Sequence, residues 1–175
     1  MPDMVLFGDG LAPGEAAAAV ATLRAEPPPL RSIAILAHTR DGVPDERLWR
    51  LGFDGGVAIS GGGNALIAAI ADWRPGDDLA GAYRLAEVFG RAAIVPMIAR
   101  FREQLADAVA ALSAMPSRDE LHRIAGIAGT LGFERIGSSW ERLSRGDAEI
   151  LPVARRAARR VLAQIDRDPL FAAFG

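Results

Sequence analysis

The spacing of apolar positions changes near Trp73 and divides the chain into two segments with different predicted structures. Before this point, short apolar runs at 4–7, 32–37 and 56–60 alternate with stretches of helical spacing. Short runs of this kind are typical of buried parallel strands, and strands that alternate with helices indicate an α/β layer. Residues 1–75 are therefore predicted to form a small α/β segment with a three-stranded parallel sheet.

Three helices are predicted in this first segment, at 14–26, 44–51 and 64–73. Proline in the first turn and a capping asparagine are common signals for the start of a helix. Residues of these types stand at the corresponding places, namely Pro13, Pro44 and Asn64.

After a break at 73–78, apolar residues recur at steps of three and four, which places them on one face of a helix. Two such stripes are Ile94, Ile98, Phe101, Leu105, Ala108 and Leu112, and Phe133, Ile136, Trp140 and Leu143. A capping box at 117–120 starts a helix between them, and a last helix spans about 150–165. With a shorter lead-in helix at 78–89, residues 76–175 are predicted to form an all-α antiparallel four-helix bundle.

Composition and charge narrow the classes of function. The chain has 175 residues and a formal net charge of -2, which gives no electrostatic footprint for nucleic acid. It has no cysteine and only two histidines, His38 and His122, so thiolate chemistry is excluded and no metal site is expected. No apolar run approaches the roughly 18 residues that span a bilayer, and no leader is recognisable. We therefore expect a cytoplasmic protein that binds neither membrane nor nucleic acid.

The stretch "LHRIAGIAGTLGF", at 121–133, places three glycines close to His122. Each interior glycine costs a helix about 1 kcal/mol relative to alanine. At about 100° per residue, Leu121, Ile124, Ala128 and Leu131 fall on the side of the core. His122 then lies off this stripe, on one face with Gly126 and Gly129, where only backbone stands beside the imidazole.

The run His122–Gly132 resembles the signature of histidine-containing phosphotransfer (Hpt) domains, and the resemblance extends over roughly 77–166. It implies that His122 is a phosphoacceptor and that Arg123, Ala125, Gly126 and Gly129 form a docking face. The partners that it implies are response-regulator receiver domains, with a hybrid histidine kinase as a further candidate. It implies no cofactor in this chain, since magnesium belongs to the receiver.

One position departs from the Hpt pattern, because Ala125 stands where that family usually has lysine. A lysine there is thought to steady the phosphoryl group as a point charge. The chain has no lysine at all, and Arg123 is the nearest basic residue that could substitute. The departure bears on the rate of transfer and on the lifetime of the phosphohistidine.

The first segment resembles the last three βα units of receiver domains, and Asp9, four residues before Pro13, resembles their phosphoacceptor. The position of the usual Lys-Pro pair reads Ile59–Ser60, and Ala37 stands where Ser or Thr is usual. A loop aspartate in a decayed receiver is therefore favoured over a phosphorylated Asp9. His38 is expected in a loop, and the glycines after Ser60 in a strand-to-helix turn.

Three functions are compatible with these features. The first is a phosphorelay intermediate, in which His122 accepts a phosphoryl group from one receiver and passes it to another. The second is an interaction protein that docks receivers without chemistry. The third, a kinase dimerisation domain, is disfavoured because Arg123 follows the histidine where that family has an acidic residue. The strand at 4–7 is an expected apolar edge of a truncated receiver-like sheet. Either the natural protein begins further upstream, or, as we favour, the edge is covered by the bundle or paired in a homodimer.

Overall fold

The computed structural model describes residues 4–172, apart from residues 9, 11, 43, 45, 75, 77 and 115. The chain divides into two compact units, Met1–Arg74 and Pro75–Gly175. Asp9, the predicted vestigial acceptor, lies outside the described residues.

The first unit contains a three-stranded parallel sheet, as predicted. Its strands are β1 (Met4–Phe7), β2 (Ala34–Thr39) and β3 (Gly55–Ala58), in the order β1-β2-β3. Val5 lies opposite Ile35, and Ala37 lies opposite Gly56. Three α-helices accompany the sheet: α1 (Pro13–Ala25), α2 (Glu46–Arg50) and α3 (Gly62–Trp73).

The first four residues of β2, Ala34–Ala37, are buried against cores on both faces of the sheet, which explains why this part of the strand is entirely apolar. One core contains Ile35 and Ala37 with Val20 of α1 and Phe53. A second core, built by the alternate residues, contains Ala34, Leu36, Val57 and Trp73.

A buried carboxylate joins the parts of this unit. The Asp54 side chain accepts a hydrogen bond from the Ile35 backbone N–H at 2.9 Å and pairs with Arg24 of α1. Arg24 also donates to the backbone carbonyls of Arg31 and Ile33. Because Asp54 has both a hydrogen-bond donor and an opposite charge beside it, its burial is compatible with a stable fold.

Three local expectations for this unit are wrong. His38 lies inside β2, opposite Val57, and not in a loop. The strand begins at Ala34, because the preceding residues, Leu30–Ser32, form a short 3-10 turn. Helix α3 begins at Gly62, two residues before the predicted Asn64.

The second unit is helical, as predicted. Its α-helices are α4 (Ala80–Phe89), α5 (Arg91–Ala111), α6 (Arg118–Thr130), α7 (Glu134–Ser144) and α8 (Leu151–Ile165). Helix α6 packs against α5 and α7, α8 packs against the same two helices, and α4 packs against α5. Both predicted apolar stripes are buried in one core: Ile94, Ile98, Phe101, Leu105, Ala108, Leu112, Phe133, Ile136, Trp140 and Leu143.

A backbone contact fixes the turn that ends α6. Gly132 has a φ of +82°, a conformation that glycine adopts at little cost. A β-carbon on Gly81 of α4 would overlap the carbonyl oxygen of Gly132. The pair Leu131–Gly132 therefore ends α6 and allows α4 to approach closely.

A buried ion pair joins α5 to the end of α8. Arg102 donates to both carboxylate oxygens of Asp166, at 2.8 and 3.0 Å, and both side chains are less than 10% exposed. Removing one member of a buried pair leaves the other charge unpaired, whereas removing both does not.

Asp166→Ala should therefore lower the free energy of unfolding by about 3 kcal/mol. The double variant Arg102→Met, Asp166→Leu should lose clearly less, because no charge is left buried. Guanidinium unfolding followed by far-ultraviolet circular dichroism measures both. A double variant that loses as much as the sum of the single variants Arg102→Met and Asp166→Leu would contradict this account of the pair.

Candidate functional site

Helix α6 presents His122 to solvent on a rigid element. The Ser117 hydroxyl caps the helix by accepting the Glu120 backbone N–H at 3.3 Å, as the capping box predicted. Leu121 and Ile124 point into the core, while the His122 side chain is 68% exposed. The imidazole is thus accessible, although the helix that carries it is anchored by its other face.

Gly126 and Gly129 lie on the solvent side of α6 with His122, and we call these three residues the glycine face. A β-carbon built at either glycine has no heavy atom within 4 Å. Packing therefore does not require glycine at either position, because a side chain there would point into open space. Beside the glycine face, Met97 of α5 and Ile127 line a shallow, mainly apolar groove that reaches His122.

Arg123 of the predicted docking face is exposed and lines the same groove. Ala125 is not on this face, and its inclusion in the prediction was wrong. It is 5% exposed and belongs to the core. A β-carbon on Gly137 of α7 would lie 3.4 Å from the Ala125 carbonyl oxygen, so α7 covers this side of α6. The side chain of a lysine at position 125 would start in the contact between α6 and α7, and it would have to extend out of that contact to reach the imidazole.

Glu141 of α7, which is not among the site residues predicted from the sequence, contacts the histidine. Its Oε2 lies 2.8 Å from Nδ1 of His122, and its Oε1 accepts from Arg145 at 2.8 Å. Gly137, Glu141 and Arg145 follow one another at steps of four, which places them on one side of α7. This spacing is the signal that could have indicated a glutamate facing α6.

The Glu141 carboxylate is held in its ionised form. The hydrogen bond from His122 lowers its pKa below the ordinary value for glutamate, and the hydrogen bond from Arg145 acts in the same direction. A carboxylate that remains ionised can only accept hydrogen bonds.

The described part of the chain contains no group of three or more histidine, cysteine, aspartate or glutamate side chains that could hold a metal ion. None of its helices has the length and apolar character that a bilayer crossing requires.

Comparison with protein-family models, with curated proteins and with solved structures finds no match to this chain.

A leucine at position 129 should be accommodated. The β-carbon points to open space and leucine favours helix more than glycine, so Gly129→Leu should raise the free energy of unfolding by about 0.5 to 1 kcal/mol. The matched control is Gly137→Leu, where the β-carbon is already in contact with α6 and the rest of the side chain would force the helices apart. Chemical unfolding of both variants measures the difference, and a destabilised Gly129→Leu would show that this glycine serves internal packing.

Proposed function

We propose that the protein is a phosphorelay intermediate that carries a phosphoryl group on His122. The observation that carries the proposal is an imidazole that is 68% exposed, on a helix face where Gly126 and Gly129 have no side chains. Clearance of this kind suits the approach of another folded domain to the nitrogen. The adjoining apolar groove, with Met97 half exposed, offers that domain a contact surface.

The helical unit supports the same proposal. Helices α5, α6, α7 and α8 surround one apolar core, and the Hpt resemblance implies a four-helix bundle that carries its histidine on an exposed face. The bundle would serve as a rigid support for the nucleophile and would not change shape during transfer.

The chemistry that this proposal requires is an in-line phosphoryl transfer. An imidazole nitrogen forms a bond to phosphorus while the bond from phosphorus to the aspartyl oxygen of the receiver breaks. The carboxylate leaves with the electron pair, and the second receiver accepts the phosphoryl group by the reverse reaction. The receiver supplies the magnesium ion and the lysine that act on its own aspartyl phosphate, so this chain needs no metal ion.

The first unit is proposed to be a decayed receiver segment without its own acceptor chemistry. Its sheet has the parallel order β1-β2-β3 that the last three βα units of a receiver would give. His38, the other histidine, lies within the β2–β3 pairing of this sheet.

The alternative is a protein that docks receivers and carries no phosphoryl group. The burial of Ala125 and the absence of any lysine in the chain favour it, since the usual stabilising cation is missing. The two functions differ in a single observable, which is whether His122 becomes phosphorylated.

His122→Ala should abolish phosphorylation by receivers. Receiver domains from the genome that encodes this chain are phosphorylated with radiolabelled acetyl phosphate, mixed with the protein, and examined for acid-labile label. His38→Ala is the matched control and should retain full labelling. Label that persists in His122→Ala sinks the proposal, and a wild-type chain that binds receivers without label favours the docking alternative.

Gly129→Leu should block transfer without harming the fold. The side chain would project from the glycine face into the space that the receiver must occupy. We expect transfer to fall by at least tenfold while the melting temperature is unchanged or higher. Normal transfer by a folded Gly129→Leu would show that the receiver does not approach along this face.

A further inference from the structure

The contact between His122 and Glu141 determines which nitrogen of the imidazole is available. In a neutral imidazole one ring nitrogen carries the proton and the other has a free lone pair. The Glu141 carboxylate is ionised and only accepts hydrogen bonds, and it lies 2.8 Å from Nδ1. The proton must therefore be on Nδ1, which leaves the lone pair on Nε2.

We infer that Glu141 is a positioning residue that fixes the neutral His122 side chain as the Nδ1–H tautomer and directs its Nε2 lone pair to the incoming phosphorus. This inference rests on the proposed function for the identity of the electrophile. The tautomer itself does not depend on it.

The same carboxylate stabilises the product of transfer. When Nε2 bonds to phosphorus and the leaving group departs with its electron pair, the ring keeps its Nδ1 proton and gains a positive charge. Glu141 then lies opposite a cation to which it is already hydrogen-bonded, and no proton has to leave the ring during the step. The Nε2–H tautomer would instead have to lose a proton before or during attack.

The position of Glu141 is set by its helix. Trp140, the preceding residue, is fully buried, and its indole N–H donates to the Ala154 carbonyl of α8 at 3.2 Å. One turn earlier, Gly137 allows α7 to lie directly against the backbone of α6. Arg145, one turn later, holds the other oxygen of the carboxylate at 2.8 Å. The acceptor therefore stays in place without the histidine.

The inference is tested by nitrogen NMR of the full chain labelled with ¹⁵N-histidine, at about pH 8.5, where histidines are ordinarily neutral. With only two histidines, His38 serves as an internal reference in every spectrum. We expect the wild-type His122 to show the Nδ1–H pattern. In Glu141→Gln and Glu141→Ala the pattern should change toward Nε2–H, the form that free histidine prefers in water, while His38 is unchanged.

Glu141→Gln is the sharper variant because it keeps the shape of the side chain but can donate as well as accept, so it no longer selects a tautomer. Glu134→Gln, the same change on an exposed part of α7, is the matched control and should leave the spectrum of His122 unaltered. A wild-type Nε2–H pattern, or a His122 pattern that Glu141→Ala does not change, overturns the inference.

A rate measurement completes the test. Phosphoramidate, a small phosphoryl donor, needs no docking face, so its reaction with His122 followed by ³¹P NMR reports on the imidazole itself. We expect uptake to be about 10- to 100-fold slower in Glu141→Gln than in wild type, by analogy with metal-binding histidines, for which loss of the orienting partner has a cost of this size. Equal rates overturn the inference. If the tautomer depends on Glu141 while receivers never label His122, the proposed function fails and the positioning role stands.

Discussion

The close approach of α6 and α7 is the constraint on which the rest of the site depends. Gly137 has no side chain, so the backbone of α7 lies against the Ala125 carbonyl and the Gly129 backbone. One turn further along α7, Glu141 then comes within hydrogen-bonding distance of His122. The same packing closes one side of α6 and leaves the glycine face as the open one. Accessibility and orientation of the imidazole thus have a common structural cause.

The periodicity of the sequence was sufficient to predict most of the helical unit. The buried stripes of α5 and α7, the cap at Ser117 and the exposure of His122 all follow from a repeat of 3.6 residues. The parallel sheet was predictable because β2 is apolar on both faces. These features depend on how one segment alternates between core and solvent, which is what a single sequence records.

Two features of the site lay beyond that kind of reasoning. Ala125 lies about 60° from His122 around α6, between the core stripe and the glycine face, and only the position of α7 decides that it is buried. Glu141 of α7 contacts His122 of the neighbouring helix α6. The periodicity of each helix by itself contains no information about how α6 and α7 are aligned with each other. Both depend on tertiary packing, as does the placement of His38 within β2.

The central claim is that an imidazole nitrogen of His122 accepts the phosphoryl group. The measurement that tests it most directly is tandem mass spectrometry at alkaline pH, with fragmentation that preserves phosphoramidate bonds, on the chain after reaction with phosphorylated receivers. The account predicts a single phosphopeptide with the added mass on His122. A phosphoryl group on any other residue, or an unmodified chain recovered from a receiver that has bound it, would contradict the account.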